Sequence, residues 1–235
     1  MIFRLCIWLP ISVDLMCTLQ HRGYDLHFLV PIQGTRHDSR GVRLDVSQVD
    51  SLATVLSGAL QNEPNFKYLI PDEQARRTIL PWFFRAVAIR ACHVYGEIYT
   101  TPTIEGGALW ISPGHTPAFE EMVRREMLAM PFKLGWTSFR RCVNLAARLE
   151  AVRKRLVRGP HWYLMVHGVK SSKQERAIGA ALLEPVLSRA DSYGLPCYLE
   201  TFQEKDLPLY EACGFRVQGA GQIPGGGPNF WALMT

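Results

Sequence analysis

Cysteine is scarce and unpatterned in this 235-residue chain. The six present, Cys6, Cys17, Cys92, Cys142, Cys197 and Cys213, form no C-x-x-C pair and have no histidine at metal-ligand spacing, so no metal site is expected. They read as reduced, mostly buried thiols, which points to the cytoplasm. A G-x-G-x-x-G run is also missing, and no Walker lysine follows a glycine-rich loop, which makes a generic nucleotide-binding fold a distant reading. Internal repeats and low-complexity tracts are absent. Charged residues reach only 20% against 48% apolar, which excludes disorder for most of the chain and leaves ample length for a buried core.

Long hydrophobic runs are missing too. The longest, residues 5–19, carries Asp14 and falls short of the ~20 residues that a membrane span needs, so no membrane association is expected. Met16-Cys17-Thr18-Leu19 offers no signal-peptide cleavage site. The chain turns polar between Gln33 and Arg43. Residues 1–40 are therefore read as an N-terminal extension, and the patterned domain is expected over 41–235.

Regular patterning starts at Asp45. Val46, Val49, Leu52, Val55, Leu56 and Leu60 recur at helical spacing up to Asn62 and Pro64, and Pro71-Asp72 opens a second helix reaching Ile89. Strands are expected at 93–100 and 107–112 around a turn at 102–106, and a helix at 116–130. The net charge of +5 gathers in one segment, with Arg140, Arg141, Arg148, Arg153, Lys154, Arg155 and Arg158 all inside 138–159. Phe139, Val143, Leu145, Leu149, Val152 and Leu156 give that segment an apolar stripe, so it reads as an amphipathic helix with a solvated basic face. Aromatic interleaving and reader motifs are lacking, so no nucleic-acid partner is expected. The basic charge could still draw in an anionic cofactor.

The most informative run is Gln174-Glu175-Arg176-Ala177-Ile178-Gly179-Ala180-Ala181-Leu182-Leu183. It follows an apolar strand at 161–169 and opens a helix at 180–193. A small-residue turn at a helix N-terminus offers free N–H groups and the positive end of the helix dipole to a phosphate. Next come a strand at 196–201, a short helix at 207–213 behind Asp206 as N-cap, strands at 215–217 and 230–234, and a Gly/Pro loop at 224–228.

This unit resembles the GCN5-related N-acetyltransferase (GNAT) superfamily, whose pyrophosphate loop reads Gln/Arg-x-x-Gly-x-Gly/Ala. Gln174 to Gly179 fits with one departure, Ala177 for the first glycine. Leu199-Glu200-Thr201, then Leu207-Pro208-Leu209-Tyr210-Glu211, then Gly214-Phe215 are similar to the late strand, catalytic-tyrosine helix and following strand, with Asp206 where Asn is common. Ala108-Leu109-Trp110-Ile111-Ser112-Pro113-Gly114 resembles the strand end of the puromycin N-acetyltransferase-like subgroup.

The resemblance implies an α/β (α+β) fold with a mixed, mainly antiparallel central sheet flanked by helices. It implies an N-acetyltransferase that moves an acetyl group from acetyl-CoA to a small-molecule primary amine by direct attack in a ternary complex. His167, Gly168 and Val169 would meet the pantetheine arm. Gln174, Glu175, Arg176, Ala177, Ile178, Gly179 and Ala180 would surround the pyrophosphate, with Asp206 nearby. Tyr210 would protonate the departing thiolate, and Glu200 would take the proton of the amine, with His161, His167 and Glu97 as weaker candidates for base. Trp110, Phe230 and Trp231, at strand ends, are candidate acceptor contacts. A peptide or protein acceptor, or a non-catalytic acyl-CoA-binding domain, are the alternatives. A monomer or homodimer is expected.

Overall fold

The structure is a computed structural model, and it describes residues 40–115, 130–171 and 175–235. The expectations for residues 1–39, for the helix at 116–130 before Met130 and for Gln174 fall outside the described residues.

Along the chain run β1 (Val42–Arg43), α1 (Val49–Leu60), α2 (Pro64–Leu69), α3 (Glu73–Phe83) and α4 (Arg90–Tyr95). Then come β2 (Gly96–Thr100), β3 (Gly106–Ile111), α5 (Met130–Leu134), α6 (Trp136–Leu156) and β4 (Trp162–Val169). The last part holds α7 (Glu175–Tyr193), β5 (Cys197–Thr201), α8 (Leu207–Ala212), β6 (Arg216–Gln222) and β7 (Asn229–Met234).

Local chemistry sets several boundaries. Asp45 and Gln48 form a capping box ahead of α1, and Asp72 accepts from the Ala75 N–H at 2.7 Å to start α3. Pro64 sits in the first turn of α2, so the Asn62–Pro64 stop signal also begins a further short helix. The expected strand at 93–100 starts only at Gly96. A Cβ there would lie 1.8 Å from the Trp110 carbonyl oxygen, so β2 can approach β3 this closely only through glycine.

The seven strands lie in the order β1-β2-β3-β4-β5-β7-β6, and every neighbouring pair is antiparallel except β4 and β5. This is the expected mixed, mainly antiparallel α/β sheet. Side-chain alternation splits the core into two layers. Leu109 and Ile111 face α1, α3 and the π-helical turn at Phe84–Ile89, together with Leu52, Leu56 and Phe84. Ala108 and Trp110 face α7 with Leu182, Leu183, Leu199 and Phe215. Each buried leucine, isoleucine or phenylalanine here contributes about 1.5–3 kcal/mol relative to exposure.

One irregularity positions the site. The β3–β4 register shifts between Leu109 and Trp110, so Met165 has no partner and β4 bulges. Past that point the parallel strands part: only Trp162, Leu164 and the residue between them pair with β5, at Cys197, Tyr198 and Leu199. Residues 165–169 of β4 therefore keep β3 on one edge and have no strand on the other among the described residues.

Candidate active site

The gap between the parted strands collects the titratable groups. His167 from β4, Glu200 from β5, Tyr210 from α8, Asp206 before α8 and Glu63 before α2 all line a cavity of about 110 Å³ there. His167, Asp206, Tyr210 and Glu63 also line a cavity of about 820 Å³ bounded by α1, residues 167–171 and α8, to which Lys170, Arg176 and Lys205 contribute cationic side chains. Glu200, Met165, Val166 and Phe202 belong as well to an apolar cavity of about 200 Å³ under α2 and α6. The small cavity thus shares walls with a large cation-lined one and an apolar one.

Tyr210 is 7% exposed, and its hydroxyl lies 3.2 Å from His167 Nδ1. Burial, then the negative charges of Asp206 and Glu63, hold the phenol well above its ordinary range, so it keeps its proton at neutral pH. Burial holds the His167 imidazole down at about 4, so its ring is neutral under ordinary conditions. Gly179 explains how that ring is held: a Cβ there would come within 3.2 Å of His167 Cε1 and 3.3 Å of Leu209 Cδ2. The small residue at 179 lets α7 press on His167 and α8.

Glu200 is pushed up to about 7 by burial, opposed by the Tyr198 and Tyr163 hydroxyls and the Arg153 charge. Burial first, and then the Glu200 charge, hold the Tyr198 phenol above its ordinary range. Glu63 also rises to about 7, through burial first and then the Asp206 charge, although Gln203 donates a hydrogen bond to it. Glu63 was not singled out from sequence; the Pro64 that marks a helix start was the available signal.

The expected cofactor residues divide. The main chain of His167, Gly168 and Val169 lies along the open edge of β4, while a Cβ on Gly168 would come within 3.0 Å of Leu60, so that glycine serves the close approach of α1. Residues 175–180 are the first turns of α7, which starts five residues before the expected helix at 180. Ala177 is exposed and its φ is not positive, so alanine in place of glycine costs nothing in backbone strain there. Ile178 is 1% exposed and packs in the α7-side core, so its side chain cannot face a ligand. Asp206 precedes α8 and lines both polar cavities, but its side chain does not cap that helix.

Other expectations are corrected. Trp110 and Phe230 are 0% and 1% exposed, lie in the two core layers and line none of these cavities. Trp231 is half-buried against the α7-side core. The apolar cavity is walled instead by residues such as Phe66, Phe83, Leu145 and Tyr163. Glu97 is structural: Arg189 of α7 reaches it through two nitrogens, one at 3.0 Å, and Tyr99 donates to it at 2.9 Å. His161 bonds the Gly159 carbonyl at 2.9 Å through Nδ1 and packs edge-on against Tyr198. The basic face of α6 is only partly solvated, since Arg153 is 7% exposed and Arg141 donates to the Tyr68 carbonyl.

No family model matches the chain. An uncharacterised N-acetyltransferase of Schizosaccharomyces pombe is 27% identical over 183 residues, covering 75% of this chain and 74% of that protein. A solved structure of a histone acetyltransferase and related acetyltransferase from Corynebacterium glutamicum superposes with a TM-score of 0.58 at 22% identity, covering 83% of this chain and 94% of the other. A Drosophila melanogaster polyamine N-acetyltransferase, which forms N-acetylagmatine, gives a TM-score of 0.54 at 14% identity, covering 83% and 98%. The fold is that of the GNAT acetyltransferases.

Proposed function

We propose that this chain is an acetyl-CoA-dependent N-acetyltransferase acting on the primary amine of a small molecule by direct attack in a ternary complex. The observation that carries the reading is the junction of the cavities, where Glu200 stands between the apolar cavity and the one holding Tyr210. The named relatives support the activity.

In this reading the pantetheine amides bond the open edge of β4 as an added strand, which takes up backbone groups that β5 leaves free. The pyrophosphate sits at the N-terminal turn of α7, with Lys170, Arg176 and Lys205 offsetting its charge. The amine enters through the apolar cavity and passes a proton to Glu200, whose carboxyl near 7 suits a base at neutral pH. The nitrogen lone pair then attacks the thioester carbonyl. When the tetrahedral adduct collapses, the C–S bond breaks and Tyr210 gives its proton to the thiolate. A non-catalytic binder would have no use for a carboxylate and a phenol at this junction.

Thiol release from acetyl-CoA against a panel of amines tests the activity. Tyr210→Phe should lower turnover by about a hundredfold while leaving acetyl-CoA affinity nearly intact. A loss of less than about threefold would remove Tyr210 from the chemistry.

A further inference from the structure

The apolar cavity contains a guanidinium that no hydrogen bond or ion pair holds among the described residues. Arg153, on α6, is 7% exposed and lines that cavity. Its guanidinium lies over the Tyr163 ring, 4.6 Å from the centroid. A guanidinium has five N–H donors in a planar fork that matches a carboxylate, and burying it unpaired is costly. The neighbouring α6 acid, Glu150, is already taken by Lys154 at 2.7 Å. Glu200 lowers the cost only through space, since no ion pair links it to Arg153.

Arg153 stacks on the Tyr163 ring, and Arg153, Tyr163 and Glu200 all line this cavity, so a cationic and an anionic group face the same space. An ammonium and a carboxylate on one carbon would answer the two. Most of the remaining wall is apolar, with Phe66, Leu69, Phe83, Val87, Leu145 and Leu149, interrupted by Asn65 and by the Lys154-paired Glu150.

We propose that the acceptor is a free α-amino acid with an apolar side chain, its carboxylate held by Arg153 and its amine presented to Glu200. This rests on the N-acetyltransferase reading and narrows it. A peptide N-terminus has an amide where Arg153 needs a carboxylate, and a diamine would bring a second cation against the guanidinium; both are disfavoured.

The test compares L-leucine and L-phenylalanine with isoamylamine, 2-phenylethylamine and the two amino-acid amides. The amino acids should win in kcat/KM by at least about tenfold, the worth of one charged hydrogen-bonded pair. Arg153→Gln should collapse that ratio mainly through KM, and Arg153→Lys should restore part of it. Circular dichroism checks that each variant folds. Should Arg153→Gln fail to fold, the ratio in Arg153→Lys and in wild type decides. Equal or better turnover of the amines or amides by wild type overturns the proposal while leaving the acetyltransferase reading in place. If no acceptor is turned over, that reading falls, and calorimetry with L-leucine and L-phenylalanine alone judges the site: binding supports it and no binding overturns it.

Discussion

At the scale of single residues, two carboxyls near 7 dominate. Glu200 and Glu63 are both held above their ordinary values by burial. If Glu200 is the base, the rate should climb with pH through about 7 and level off above it. Glu200→Gln should flatten that limb and slow the reaction by about a hundredfold; an unchanged pH profile would assign the limb elsewhere, with Glu63→Gln the next variant to examine. The same shift has a stability sign. A carboxyl raised in the folded state favours folding below its unfolded value of 4.5, and that contribution is lost as pH rises through about 7. At pH 8.5 a folded Glu200→Gln should therefore melt above wild type, and the difference should close as the pH falls toward 4.5.

At the scale of elements, α7 and its Gly179 connect packing to the site. Gly179, expected at the pyrophosphate, also packs closely on His167 and Leu209. Gly179→Val should push α7 off His167, costing about 1–3 kcal/mol of stability by overpacking, readable as a lower denaturant midpoint. Its effect on acetyl-CoA affinity should be secondary; weaker binding with an unchanged midpoint would return the residue to the ligand. The strand ending at Val169, the helix that follows it and the short α8 with Tyr210 were legible because periodicity and helix-start residues are local signals. Arg153 was not: helical spacing put it beside six other basic residues, and only the tertiary seat of α6 on Tyr163 buries it. Trp110 was misplaced because strand alternation assigns a residue to one of two faces without saying which face holds the cavity.

At the scale of the whole molecule, we propose that the working domain starts at residue 41. Gly41 lies close on α7, where a Cβ would meet the Ala181 carbonyl oxygen at 2.8 Å, and β1 then pairs Val42 with Thr100. A chain cut to begin at His37 should fold and turn over as the full chain does, whereas one beginning at Ser47 loses β1 and the Asp45 cap. The second should melt lower by several degrees, since an N-cap alone is worth about 1 kcal/mol. Equal melting of both would show the edge strand to be dispensable.

The parting of β4 from β5 also governs traffic. Among the described residues, the large cavity beside α1 and α8 and the apolar one beneath α2 and α6 share no lining residue, and each shares walls with the small cavity that holds Glu200 and Tyr210. On the proposed assignment of acetyl-CoA to the large cavity and the amine to the apolar one, a molecule in one leaves the other open, so neither partner need arrive first. Initial rates with both concentrations varied should give intersecting lines, each product should inhibit competitively against the partner that shares its cavity, and no acetyl group should remain on the protein between turnovers.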